Sequence, residues 1–127
     1  DILKGIMECT TFYMRECVEQ TPQAAIDISD FRVVGGGSKS DGWVQICSDI
    51  LGKPFTRPVI TEAGALGAAI IAGVGQGIFQ SHKEGVDAMV KPDKTFEPRP
   101  RQQKLYDAKF HKYKQLWPLM KEYLSQL

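Results

Sequence analysis

Three successive glycines, Gly35, Gly36 and Gly37, run into Ser38, Lys39 and Ser40. The β-prone residues Phe31-Arg32-Val33-Val34 come just before them. A strand, a glycine bend and a helix N-terminus together make a recurrent site for nucleotides and other phosphate-bearing ligands. Residues without a Cβ let a ligand approach the main chain closely. The N–H groups of a helix's first turn lack partners inside the helix, and the dipole favours anionic groups there. Ser38 and Ser40 add hydroxyls that can cap the helix or bond a ligand. The candidate nucleotide-binding residues are therefore Gly35, Gly36, Gly37, Ser38 and Ser40. A bend serving structure alone uses the same residue types, so the pattern leaves both readings open. The GxxxxGK[ST] spacing of a P-loop is absent. The third glycine of a GxGxxG fingerprint is replaced by Ser40.

Other reactive side chains are scattered. His82 and His111 stand alone, so neither implies a metal site. Cys9, Cys17 and Cys47 are odd in number and lack CxxC spacing, which points to reduced thiols in a cytoplasmic protein. Cys47 falls on the apolar face of a helix and reads as inert packing. Asp49 reads as a structural hydrogen-bonder. Glu62 reads as a helix N-terminal charge that complements the dipole. No residue is assigned a catalytic role. The net charge of +1 gives no pull toward nucleic acid or membranes. Basic residues from Arg99 to Lys114 interleave with an aromatic stripe of core periodicity, which points to a solvated helix face and no nucleic-acid partner. No apolar run approaches the roughly 20 residues of a membrane span, and no signal-peptide pattern opens the chain.

These groups have to be positioned by the elements around them, within a single domain over residues 1–127. Ile2, Leu3, Ile6, Tyr13, Met14, Cys17 and Val18 recur at helical spacing and predict a helix over 1–20, stopped by Pro22. Residues 31–34 read as a buried strand. A second helix from Ser40 carries Trp43, Ile46, Cys47, Ile50 and Leu51 on one face, and Gly52 suits an αL cap. Prolines bracket residues 55–60, so a strand there is expected to be short or at an edge. Thr61 can cap a third, alanine- and glycine-rich helix, with Glu62 in its first turn. Ser81-His82-Lys83-Glu84 matches a capping box that starts a helix to about Met89. Residues 90–100 are expected to run extended. A last helix from Pro100 carries the stripe Tyr106, Phe110, Tyr113, Trp117, Met120 and Leu124, and Pro118 is expected to kink or restart it.

The run Val34-Gly35-Gly36-Gly37-Ser38-Lys39-Ser40-Asp41-Gly42-Trp43-Val44-Gln45 continues into Ser48-Asp49-Ile50-Leu51-Gly52. After Arg57-Pro58 comes Glu62-Ala63-Gly64-Ala65-Leu66-Gly67-Ala68-Ala69. Two motifs in this order strongly resemble the C-terminal domain of the FGGY carbohydrate kinases. The opening Ile2-Leu3-Lys4-Gly5-Ile6 resembles the helix that precedes them, so most of residues 1–80 is covered. The GGGSKS form is more similar to the xylulose kinase branch than to glycerol kinases.

The resemblance implies an α/β fold, part of an actin-like, ribonuclease-H-like ATPase domain. It implies ATP with Mg²⁺ as the phosphate donor and a sugar hydroxyl, such as that of a pentulose, as the acceptor. It sets Gly36 and Gly37 against the adenosine and α-phosphate side, and Ser40 near the adenine. Gln45 and Asp49 become supporting residues. The family's catalytic aspartate, its sugar-contacting residues and its phosphate hairpin are not matched. Asp1 is not an initiator methionine and lies in a helical pattern. The chain is therefore expected to be an excised portion, inactive by itself and prone to homo-oligomerise through exposed edges. Two alternatives stay open: a non-catalytic scaffold or binding module, and an atypical dinucleotide-binding oxidoreductase domain.

Overall fold

The computed structural model describes residues 1–21 and 28–126, so Pro22, the expected stop of the first helix, lies outside the described residues. Five helices and three strands follow the order α1 (Ile2–Gln20), β1 (Phe31–Arg32), a 3₁₀ turn (Gly36–Lys39), α2 (Asp41–Leu51), β2 (Phe55–Pro58), α3 (Ala63–Gly75), α4 (His82–Met89), β3 (Pro92–Phe96) and α5 (Pro100–Leu124).

The sheet has the order β1-β2-β3. β2 pairs in parallel with β1 and antiparallel with β3, with a register shift at Arg57/Pro58. The strand expected to be short or at an edge is short, four residues, but it lies at the centre of the sheet and not at an edge. Its prolines are tolerated because Pro54 precedes it, and Pro58 ends it where the ladder slips. The strand expected over 31–34 is only two residues by its ladder. Phe31 is half-buried and Val34 exposed, so the strand is not buried. The Val33 N–H nevertheless still donates to the Thr56 carbonyl at 3.0 Å.

Two apolar clusters lie around α2. Phe12, Ile50, Tyr106 and Phe110 form one, where α1 and α5 meet α2. Val44, Phe55 and Phe96 form the other, between α2 and the sheet. Gly52 takes the expected left-handed cap, φ 65° and ψ 27°, which lets the chain leave α2 for β2. The Ser81 hydroxyl caps α4 by accepting from the Glu84 N–H, as the capping box predicts. α3 and α4 pack closely around Phe79: a Cβ on Gly73 would collide with the Phe79 ring, and one on Gly85 with Ile70.

The helices form as expected, but their faces and one cap differ from the sequence pattern. On α1 the face turned to α2 carries Glu8, Thr11 and Phe12, while Ile2, Leu3, Ile6 and Tyr13 are exposed. Glu8 is held inside by its partners. Burial pushes its carboxyl pKa up, but hydrogen bonds from Lys109 and Tyr106 and the charges of Lys109 and Lys4 outweigh that and leave it lowered. On α5 the stripe is buried only at Tyr106 and Phe110, and the helix continues past Pro118 instead of restarting. On α3 the cap position is Glu62, with no side-chain cap bond, and not Thr61. The Thr61 carbonyl instead accepts the N–H groups of Gly35 and Ala63.

Candidate functional site

The glycine run leaves β1 at Gly35, whose φ of 80° only glycine adopts without strain. The Gly35 N–H is anchored on the Thr61 carbonyl at 2.8 Å. Gly36 to Lys39 then form one 3₁₀ turn before α2 begins, so the bend enters the helix through an intermediate turn and not directly. The bend is open to solvent. Gly36, Gly37, Lys39 and Ser40 are exposed, and a Cβ on Gly36 would meet nothing within 4 Å. Among the described residues, the N–H groups of Gly36 and Gly37 have no acceptor. Gly37 has a different reason to be glycine: a Cβ there would lie 2.9 Å from the Trp43 ring.

The two serines divide their roles. Ser38 is buried, and its hydroxyl donates to the Gly35 carbonyl at 2.7 Å, which closes the turn. Ser40 is the N-cap of α2 and accepts from the Trp43 N–H at 3.4 Å. All five candidate residues therefore lie on one short segment. Gly36, Gly37 and Ser40 face outward, while Gly35 and Ser38 shape the bend.

Behind the turn lies a group of charges that glycine-motif reasoning did not pick out. The Arg57 guanidinium on β2 donates to the Ser38 carbonyl at 3.0 Å, to Asp41 at 2.7 Å and to Asp93 at 3.0 Å. Lys94 donates to the other oxygen of Asp41 at 2.6 Å. Hydrogen bonds from Lys94 and then Arg57 hold the Asp41 carboxyl below the usual carboxylate range. Asp41 is also the first residue of α2, where a negative charge complements the dipole. In sequence, Arg57 beside Pro58 signalled only the family motif.

The supporting residues expected on α2 form a second network. Asp49 is fully buried and accepts from Arg99 through Nε, Nη2 and the backbone N–H, and from the Gln45 amide at 3.1 Å. Gln45 also reaches the Glu97 carbonyl at 2.9 Å. Ser48 bonds the carbonyls of Phe96 and Lys53. Burial raises the Cys47 thiol pKa, in keeping with inert packing. Glu62 sits 3.9 Å from Lys39 at the rim of the turn. No helix of the described residues is long and apolar enough to cross a membrane. Among those residues no group of three or more His, Cys, Asp or Glu could hold a metal ion.

Residues 1–76 match the model of the FGGY family of carbohydrate kinases, C-terminal domain. The chain belongs to the FGGY carbohydrate kinases. An autoinducer-2 kinase of Escherichia coli (strain K12) is 43% identical over 83 residues, 65% of this chain and 16% of that protein. A xylulose kinase of Staphylococcus epidermidis is 28% identical over all 127 residues, 26% of its own length. The chain thus spans about a quarter or less of the relatives it matches. A ligand-bound xylulose kinase from Lactobacillus acidophilus superposes with a TM-score of 0.81 over 91% of this chain and 24% of that one, at 22% identity. The fold is that of these FGGY kinases, α/β and actin-like. Nothing in these matches favours a dinucleotide-binding oxidoreductase.

Proposed function

We propose that residues 1–127 are the nucleotide-binding, C-terminal portion of a longer FGGY kinase that transfers a phosphoryl group from ATP to a sugar hydroxyl. The acceptor assigned is a pentulose or related sugar, by likeness to the xylulose kinases. In this reading the main chain of Gly36 and Gly37 lies against the adenosine and α-phosphate side of ATP. Ser40 stands near the adenine, and Gly35 and Ser38 fix the bend. The open, acceptor-free N–H groups of Gly36 and Gly37 carry the reading. They open the 3₁₀ turn that leads into α2, so free donors and the helix N-terminus lie on one short segment. Mg²⁺ would accompany ATP, but the described residues offer no cluster that fits it, so no metal ligand is assigned to this chain. The free thiols of Cys9, Cys17 and Cys47 suit a reduced, cytoplasmic setting. The apolar faces left open on α1 and α5 are assigned to contacts with the rest of the kinase, with self-association expected when the chain is alone.

Calorimetric titration with ADP tests the site. Wild type is expected to bind. Gly36→Trp is expected to bind at least about tenfold more weakly, which is 1.4 kcal/mol. Its unfolding midpoint should be unchanged, because the space over Gly36 is empty. Equal affinity of the two proteins would remove the glycine turn from the site.

A coupled assay tests the division of labour. The chain alone, given ATP, Mg²⁺ and a pentulose, is expected to form no sugar phosphate. Phosphoryl transfer needs a base, metal ligands and an acceptor pocket in line with the γ-phosphate. Turnover above the uncatalysed rate would show that the chain holds all three.

A further inference from the structure

We infer that Arg57 is a positioning residue for the nucleotide, acting through the turn Gly36–Lys39 without touching the ligand. The inference rests on the reading of that turn as the nucleotide site.

The turn is held at three points. Upstream, the Gly35 N–H is pinned to the Thr61 carbonyl. Underneath, the Trp43 ring packs against Gly37 closely enough to exclude a Cβ. In the middle, the carbonyl of Ser38 has a single side-chain donor, Nη1 of Arg57 at 3.0 Å. The same nitrogen holds Asp41, the first residue of α2, at 2.7 Å. Nε of Arg57 holds Asp93 on β3 at 3.0 Å. One planar group therefore fixes the turn, the start of the helix and two strands relative to each other. A planar peptide cannot rotate its carbonyl without rotating the following N–H, so tethering the Ser38 carbonyl also sets the orientation of the 38–39 peptide.

The charges assign Arg57 this role instead of a phosphate contact. Two cations, Arg57 and Lys94, face two carboxylates, Asp41 and Asp93, and each cation is already paired. The Arg57 side chain is mostly covered, and its guanidinium lies 5.6 Å over the Phe96 ring. Lysine cannot replace it, because one ammonium does not reproduce a fork aimed at acceptors in two directions.

The experiment uses the 127-residue chain in three forms: wild type, Arg57→Lys and Ile50→Val. Ile50→Val mildly destabilises the core of α2 without touching the turn. ADP affinity and amide hydrogen exchange are measured on each. Arg57→Lys is expected to weaken ADP about tenfold. It should also speed exchange at the Ser38 and Ser40 amides, which are bonded within the turn, far more than at Ile50 and Phe110. Ile50→Val is expected to leave ADP affinity unchanged within about twofold. Wild-type affinity in Arg57→Lys, or an equal loss in Ile50→Val, overturns the inference. If wild type itself binds no ADP, the nucleotide reading fails, and exchange alone judges the tether. Selective loosening at Ser38 and Ser40 then upholds it, and uniform loosening removes it.

Discussion

Arg99→Ala is expected to lower the unfolding free energy by about 3 kcal/mol, the low end of the cost of breaking a buried ion pair. Asp49 has no solvent exposure, so its charge has only protein groups to replace water. Arg99 supplies two side-chain donors, Nη2 at 2.6 Å and Nε at 3.1 Å. The alanine variant keeps the backbone N–H at 2.8 Å and the Gln45 amide at 3.1 Å, but it loses the one cation bonded to Asp49 among the described residues. The low end applies because the Arg99 side chain is itself half-exposed and partly screened. Asp49→Asn is expected to cost a similar amount, because donors face both carboxylate oxygens and an amide would set its NH₂ group against one of them in a buried site. Urea unfolding monitored by Trp fluorescence reads both. A shift below about 1 kcal/mol for Arg99→Ala would mean that water reaches Asp49 in solution. The effect should extend to α5, because Arg99 is the residue from which that helix starts.

Local chemistry was legible in the sequence wherever one residue type satisfies a backbone requirement. Gly52 as an αL cap and Ser81 as a hydroxyl cap are decided by groups within four residues, and both appear as read. The glycine turn was legible for the same reason, and its open face at Gly36 is what the lack of a side chain implied. What could not be read locally depended on partners distant in sequence. β2 took the centre of the sheet because β3, 34 residues or more further on, pairs with it; the stretch 90–100 was expected to run extended, but nothing in it announced its partner. On α1, Ile2, Leu3, Ile6 and Tyr13 point outward although Met14 packs inward, and Glu8 goes in because Tyr106 and Lys109 meet it there. Arg57 escaped notice because an arginine beside a proline has no local signature. Its role exists only once Ser38, Asp41 and Asp93 converge on it. The family match runs through this segment, and the contacts of Arg57 supply a physical reason for an arginine there.

Phe110→Ala and Trp117→Ala, seven residues apart on one helix, are expected to differ sharply. Phe110 is 2% exposed, and its ring centroid lies 5.8 Å from Phe12 and 6.0 Å from Tyr113. The Arg15 guanidinium covers it at 4.4 Å while bonding the Ile50 carbonyl and Asp107, so the ring sits where α1, α2 and α5 are joined. Truncating it removes a large apolar group and leaves a cavity that three helices cannot easily close, a loss of about 3–5 kcal/mol. Trp117 is 63% exposed, and at a concentration where the chain is monomeric its truncation is expected to stay within about 0.5 kcal/mol. Periodicity treats the two as equivalent members of one stripe, but Phe110 is enclosed between α1 and α2 while Trp117 only borders an open cleft beside Tyr13, Glu16 and Gln20 of α1. Thermal unfolding of both variants at two protein concentrations settles the matter. A large cost for Trp117→Ala that grows with concentration would show that the far half of α5 is buried between copies, making that face an interface and not a free surface.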